Sequence, residues 1–175
     1  MKRIAAAIVA MILVLCCAAA LAEKTTVFTD PVTGDKVTLE IENATIEFDE
    51  DSTEDLGIFT VKRDGVCDVY VLIYAKDTED KNLNDMTDEE LQGVIDYFTS
   101  EIDDEDTKVT LEVTKDGNKY VNIVSESENG SLQQRFTVFE NFDMSRTQFS
   151  TGLFTEEDTA FLAEVQSGLW TEKAE

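Results

Sequence analysis

The sequence contains no histidine. Nucleophilic catalysis by Ser–His or Cys–His groups needs an imidazole as the general base. Histidine is also a frequent ligand of zinc and other transition metals. Its absence excludes both catalytic arrangements and every histidine-based metal site.

Cysteine is scarce as well: Cys16 and Cys17 lie in an apolar leader, and only Cys67 follows it. A single cysteine cannot form an intramolecular disulfide, so a packed core must hold the chain together. Val69 and Val71 share the predicted strand side of Cys67, and such an apolar setting predicts a buried, unreactive thiol. The alternative is an interchain disulfide through Cys67.

Basic side chains are few. The chain has 14 lysines and arginines and 38 aspartates and glutamates, which gives a net charge of −24. This charge density favours solubility and opposes binding to nucleic acid or to an anionic membrane. The large number of carboxylates indicates a surface that is well solvated. A cationic protein, a peptide or Ca²⁺ is the kind of partner that they would attract.

The N-terminal residues have the pattern of a secretion signal. Lys2 and Arg3 precede an apolar run, Ile4–Ala22, which ends in an Ala-Leu-Ala pattern. These features predict that residues 1–22 are a signal peptide cleaved after Ala22, and that the protein is secreted or extracytoplasmic, in the cell envelope.

Cleavage would leave 153 of the 175 residues, a single acidic α+β domain over residues 23–175 with a net charge of −26. No membrane contact is expected after cleavage. Two alternatives stay open, a retained membrane anchor and a bacterial lipoprotein acylated on Cys16 or Cys17.

Alternating apolar and polar residues predict strands in the first half of the chain. Lys36–Ile41 and Ala44–Phe48 alternate, and we predict that they form a hairpin or one bulged strand. Gly57–Arg63 and Val66–Ala75 flank an Asp-Gly turn and predict a second hairpin. Val66–Ala75 is apolar on both sides, which indicates a central strand covered on both faces.

The second half predicts a meander of three strands, Lys108–Val113, Tyr120–Ser125 and Leu132–Phe139, joined by Asp-Gly and Asn-Gly turns. Counting outward from the Asn-Gly turn pairs Ile123 with Phe136 and gives a meander that is apolar on both faces. Phe142–Thr151 predicts one further short strand.

Two helices are predicted from their starting residues and apolar stripes. Thr87 with Glu90 forms the pattern of a capping box, and Thr155 precedes three acidic residues. Apolar residues then recur at helical spacing in both segments. We expect Trp170, just beyond the second helix, to pack back on the domain.

The order of elements predicts an α+β fold, a mostly antiparallel sheet flanked by two helices in an α/β/α sandwich. That order, over residues 26–170, resembles the fold of PsbP-type proteins, in which one helix follows the first strands and the last helix runs back over the sheet. The family includes photosystem subunits, nuclear-transport regulators and exported bacterial proteins. The resemblance therefore implies a binding or assembly role. An α+β roll like that of cystatins or nuclear transport factors is the structural alternative.

One segment resembles the start of a calcium loop. Oxygen ligands recur at Asp80, Asn82, Asn84 and Asp88, just ahead of a helix. The pattern then departs from a calcium loop, because Asp85 and Leu91 stand where a turn glycine and a bidentate glutamate belong. A solvated loop that caps the helix is the competing interpretation.

These observations predict an exported, acidic, non-enzymatic binding or assembly module without a cofactor, whose partner is a protein, a peptide or a cell-envelope component. Two alternatives are a carboxylate-dependent extracytoplasmic hydrolase, which needs a carboxyl group of raised pKa in a cleft, and a weakly Ca²⁺-responsive protein.

Overall fold

The chain is built mainly from strands. The computed structural model describes residues 23–76, 81–102, 106–127, 130–139 and 141–174. In order, the elements are β1 (Glu23–Thr29), β2 (Lys36–Ile41), β3 (Thr45–Phe48), β4 (Leu56–Lys62), β5 (Val69–Ala75), a 3-10 turn (Leu83–Asp85), α1 (Asp88–Glu101), β6 (Thr107–Val113), β7 (Lys119–Ser127), β8 (Gly130–Val138), β9 (Phe142–Ser150), α2 (Glu156–Gly168) and β10 (Leu169–Glu172).

The strands form two antiparallel sheets. The small sheet has the order β1-β2-β10, and the large sheet has the order β3-β4-β5-β9-β8-β7-β6. The last strand of the chain therefore pairs with β2, with Leu169 opposite Leu39. This pairing ties the two ends of the described chain into one sheet.

Both long helices begin at the predicted residues. The hydroxyl of Thr87 accepts a hydrogen bond from the Glu90 backbone, and the Glu90 carboxylate accepts one in return from the Thr87 backbone. Thr155 and Asp158 form the same reciprocal arrangement at the start of α2. Each box satisfies backbone N–H groups that a helix terminus leaves unpaired.

The main hydrophobic core lies between the small sheet with α2 and the β4-β5-β9 part of the large sheet. Phe28 of the small sheet packs edge-to-face on Phe142, with 6.1 Å between ring centroids. Gly57 makes room for the Phe28 ring, since a Cβ there would lie 2.7 Å from it. Burial of large apolar side chains of this kind contributes about 1.5–3 kcal/mol each.

A second apolar cluster covers the other end of the large sheet, on its opposite face. The stripe of α1 packs there on β6, β7 and β8. Phe98 of α1 meets Phe136 of β8 with 5.0 Å between ring centroids. The two clusters thus share the large sheet but cover different strands of it.

The predicted α/β/α sandwich is wrong. The fold is mostly β: 48% of the described residues lie in strands and 21% in helices, and the strands form two antiparallel sheets of three and seven strands. Helices do not form the two outer layers, because a second sheet together with α2 covers one face and α1 covers only one end of the other. The resemblance to PsbP-type proteins depended on the order of elements and finds no further support in this architecture.

Two predicted pairings are also wrong. β2 and β3 do not form a hairpin; β2 pairs with β1 and β10, while β3 pairs with β4. Asn43, with φ at 51°, lies where the chain leaves one sheet for the other. In the β7–β8 hairpin Ile123 lies opposite Gln134 rather than Phe136, because the pairing already begins at Ser127 and Gly130.

The predicted burial of β5 on both faces is only half right. Val69, Val71 and Ile73 are buried, but Tyr70 and Tyr74 on the opposite side are 47% and 53% exposed. The reason is that α1 covers β6 to β8 and stops short of β5. The meander likewise is apolar on one face only, and its other face is polar.

Candidate functional site

A cleft of about 700 Å³ opens beside α2, between that helix, the end of β2 and the turn between β6 and β7. Ile41, Val113 and Trp170 give it apolar walls. The buried polar residues that line it, and so form its floor, are Tyr120, Arg135 and Gln166; the exposed charged residues at its rim are Glu40, Glu42, Lys115 and Glu164. Apolar walls around a few polar groups are typical of ligand sites.

The polar floor results from a change in side-chain character across one face of the large sheet. A row of directly opposed residues runs from Val71 on β5 to Arg146, Arg135, Asn122 and Thr110. The row is apolar where the small sheet covers it and polar from β9 onward. The structure therefore places two arginines on adjacent strands beneath α2.

Arg135 is the central group of the floor. Its Nη1 donates a hydrogen bond of 2.9 Å to Oε1 of Gln166, and its guanidinium lies 5.2 Å from the ring centroid of Tyr120. Its Nε is buried and has no hydrogen-bond partner among the described residues. Burial lowers the pKa of Arg135, but an arginine stays cationic at neutral pH.

Glu112 is the carboxylate whose charge acts on Arg135, and hydrogen bonds hold Glu112 in the ionised state. Its carboxylate accepts from the hydroxyl of Tyr120 at 2.7 Å, from Asn122 at 2.8 Å and from Thr110. Burial acts to raise the pKa of Glu112, yet these bonds outweigh it and hold the pKa below its usual range. Burial and Glu112 raise the pKa of Tyr120 to about 12, so the phenol remains a donor.

Arg146 is 1% exposed and lies directly opposite Arg135. It donates hydrogen bonds to the hydroxyl of Thr137 and to the carbonyl oxygen of Met144, while its Nε has no partner among the described residues. No described carboxylate is within 4.0 Å of it. Burial and the charge of Arg135 lower the pKa of Arg146 to about 9, which leaves it cationic at neutral pH.

The rim of the cleft is held by Arg63. Its guanidinium makes two hydrogen bonds of 2.7 Å to the carboxylate of Glu164 and one of 2.6 Å to the carbonyl oxygen of Glu42. It also stacks on the ring of Phe161, 4.4 Å from the centroid. Glu164 is thereby neutralised, whereas the carboxylates of Glu40 and Glu42 face solvent.

The predicted calcium-loop residues take structural roles where the structure describes them. Asn82 caps the 3-10 turn through the backbone of Asn84, and Asn84 accepts a hydrogen bond of 2.8 Å from the Lys119 backbone. Asp88 lies in the first turn of α1, and Asp80 falls outside the described residues. Across the described ranges no three acidic or sulfur ligands come together as a metal group.

Cys67 precedes β5 and is half-buried. Its backbone N–H donates to Asp158 of α2 at 2.6 Å, and its carbonyl oxygen accepts from Gln148 at 3.0 Å. Burial and the neighbouring Asp158 carboxylate raise the pKa of the Cys67 thiol, which makes it less reactive. An interchain disulfide through Cys67 stays a prediction.

The link between Asp158 and Cys67 predicts a pH-dependent loss of stability. Burial acts to raise the pKa of Asp158, but hydrogen bonds from Cys67 and Thr155 lower it to about 2. A carboxyl group with a lowered pKa stabilises the fold above its unfolded value of 3.8 and loses that effect as pH falls toward 2. We expect Asp158→Asn to reduce the free energy of unfolding by about 2 kcal/mol at pH 7.

Urea denaturation of the protein and of Asp158→Asn between pH 7 and pH 2 measures this effect. The difference in the free energy of unfolding between the two proteins should shrink as the pH falls from 4 to 2. Asp68→Asn, which changes a half-exposed aspartate next to Cys67, is the matched control and should change little. A difference that is constant with pH would contradict the role given to the Asp158 carboxylate.

The sequence did not reveal the cleft or its arginines. Arg135 and Arg146 lie on predicted strands, yet their inward orientation depends on the packing of α2 and β10, which local patterns do not show. The only local signal for Arg135 was the set of polar residues in β8 that alternate with apolar ones, whereas Arg146 lies on the same side of β9 as Phe142 and Met144.

No described helix is both long enough and apolar enough to cross a bilayer. Comparison with protein-family models and with curated proteins finds no match for the chain.

Proposed function

We propose that the chain is an exported, non-enzymatic binding module and that the cleft beside α2 holds its ligand. The observation that carries the proposal is a buried guanidinium, that of Arg135, at the floor of a cleft with apolar walls. Export is inferred from the pattern of residues 1–22. The ligand class is a protein, a peptide or a cell-envelope component, since the charge of −24 opposes nucleic acid.

The titratable groups of the cleft favour binding over hydrolysis. A carboxylate-dependent hydrolase needs one carboxyl group whose pKa is raised so that it can donate a proton. Where the pKa of a described carboxyl group is shifted, the shift is downward, as it is for Glu112, which accepts a hydrogen bond from Tyr120 of the cleft floor, and for Asp158. Glu112 is further committed to three hydrogen bonds within the sheet.

A tryptophan on α2 that fills the cleft tests this function. Ala160 is exposed and lines the cleft, so Ala160→Trp should block it without disturbing the core. We expect the purified protein to gain thermal stability from a member of a panel of basic peptides and cell-envelope fragments, and Ala160→Trp to weaken that binding at least tenfold, or about 1.4 kcal/mol.

Thr159→Trp is the matched control, because Thr159 is the exposed neighbour on the same helix and does not line the cleft. Its ligand-induced shift in melting temperature should equal that of the unaltered protein. A ligand that stabilises both tryptophan variants equally would place the binding site elsewhere and overturn the assignment of the cleft.

A further inference from the structure

We propose that the cleft receives the carboxy terminus of a basic peptide, with the terminal carboxylate on Arg135 and the cationic side chains beside Glu40 and Glu42. This inference rests on the proposed function and specifies the ligand of the same site. It follows from three features of the cleft: the hydrogen-bond donors of its floor, the positive charge of Arg146 beside them and the acidic residues of its rim.

The floor has more hydrogen-bond donors than acceptors. The Arg135 guanidinium makes one hydrogen bond, to Gln166, and no described carboxylate lies within 4.0 Å of it. Nε of Arg135 and Nε2 of Gln166 are buried without a partner among the described residues. Buried polar groups are nearly always hydrogen-bonded and buried charges are nearly always paired, so this floor is complementary to an acceptor that carries negative charge.

A carboxylate fits these donors. It has two oxygens with about four lone pairs, and the planar guanidinium binds it through two parallel hydrogen bonds. Arg146 lies beside Arg135 on the adjacent strand and adds a second positive charge. Glu112 attracts Arg135 through its charge, but its carboxylate accepts hydrogen bonds from Tyr120 and Asn122 and none from the guanidinium.

The rim selects against ligands that are anionic throughout. Glu40 and Glu42 are exposed at the mouth of the cleft, whereas Glu164 is paired with Arg63, whose charge also attracts Glu42. The net charge of −24 repels polyanions at long range. A ligand that satisfies both rim and floor carries a carboxylate at its inner end and positive charge outside, as the carboxy terminus of a lysine-rich peptide does.

The first arm of the test changes the ligand and leaves the protein intact. The purified protein is titrated in a calorimeter with an acetylated tetrapeptide of alternating alanine and lysine, once as the free acid and once as the carboxamide. We expect the free acid to bind roughly tenfold to a hundredfold more tightly, because only it offers a charge-assisted pair to Arg135. Equal affinities would overturn the inference.

The second arm changes the protein. Arg135→Gln should abolish the difference between acid and amide, whereas Lys108→Gln, which removes an exposed cation of β6 that does not line the cleft, should preserve it. A difference that persists in Arg135→Gln would contradict the role of Arg135, and its loss in Lys108→Gln would show that overall charge, and not the cleft floor, distinguishes acid from amide.

The outcomes separate this inference from the proposed function. If acid and amide bind equally and Ala160→Trp blocks both, the cleft is a binding site but the carboxylate is not what it recognises. If a ligand of the panel binds and Ala160→Trp has no effect, the cleft itself is wrongly assigned. Failure of both peptides to bind overturns the choice of a basic peptide.

Discussion

The Gly168→Ala substitution is expected to lower the free energy of unfolding by about 3 kcal/mol. Gly168 ends α2 where the helix touches β2, and a Cβ there would lie 2.3 Å from the carbonyl oxygen of Glu40. The obstacle is backbone, in a strand hydrogen-bonded on both sides, by β1 and β10. It cannot turn away as a flexible side chain would, so α2 must move off the small sheet.

Gly93→Ala is the matched control, and it should change the free energy of unfolding in the opposite direction. Gly93 lies in α1, is exposed, and a Cβ there would meet nothing within 4 Å. Alanine is favoured over glycine in a helix interior by about 1 kcal/mol, so this variant should be more stable than the parent. Urea denaturation monitored by circular dichroism measures both variants. Equal midpoints for Gly168→Ala and the parent protein would show that α2 does not approach Glu40 as closely as described.

The Arg146→Met substitution is expected to raise the free energy of unfolding by about 2 kcal/mol. A buried charge without a counter-ion costs several kcal/mol, and Arg146 has no described carboxylate within 4.0 Å. The hydrogen bonds to Thr137 and Met144 that would be lost are worth about 1 kcal/mol each. Methionine has an unbranched side chain that adapts to irregular space, so it should fill most of the volume.

Lys62→Met is the control for removing a cation from the same sheet. Lys62 is a half-exposed residue of β4 that pairs with Glu47 at 2.6 Å, and a surface pair of this kind contributes at most about 1 kcal/mol. That variant should be equal to or slightly less stable than the parent in chemical denaturation. A marked loss of stability in Arg146→Met would show instead that the fold depends on its two hydrogen bonds.

Local features of this chain could be predicted from the sequence, and long-range ones could not. The helix starts at Thr87 and Thr155 are set by side chains three residues away, and both were predicted correctly. The Asp-Gly turn near Gly65 likewise joins β4 to β5, which do pair. These features depend on contacts within a few residues of chain.

The small sheet depends on contacts between distant residues. β10 is only four residues long, and its Leu169 pairs with Leu39, so no local pattern identifies it as a strand. β1 and β10 pair with the two edges of β2, so β2 has no free edge with which β3 could form the predicted hairpin. The α/β/α sandwich was wrong for the same reason, since a sheet that was not predicted covers the face assigned to a helix.

The cleft could not be predicted because it is formed by that same packing. An alternating strand pattern shows that Arg135 and Phe136 lie on opposite faces, but the apolar residue is the one expected to point into the interior. Both are in fact covered, Phe136 by α1 and Arg135 by α2. Only the position of α2 makes the arginine side of β8 an interior surface.

The position of Trp170 has a practical consequence for experiments on this protein. It is the single tryptophan of the chain, it forms part of the cleft wall, and its indole N–H donates to Glu172 at 3.1 Å. Indole emission is sensitive to the polarity around the ring, and the four tyrosines do not interfere when excitation is restricted to the long-wavelength edge of absorption. The protein therefore carries a built-in optical reporter at the cleft, and occupancy there can be followed without attaching a dye.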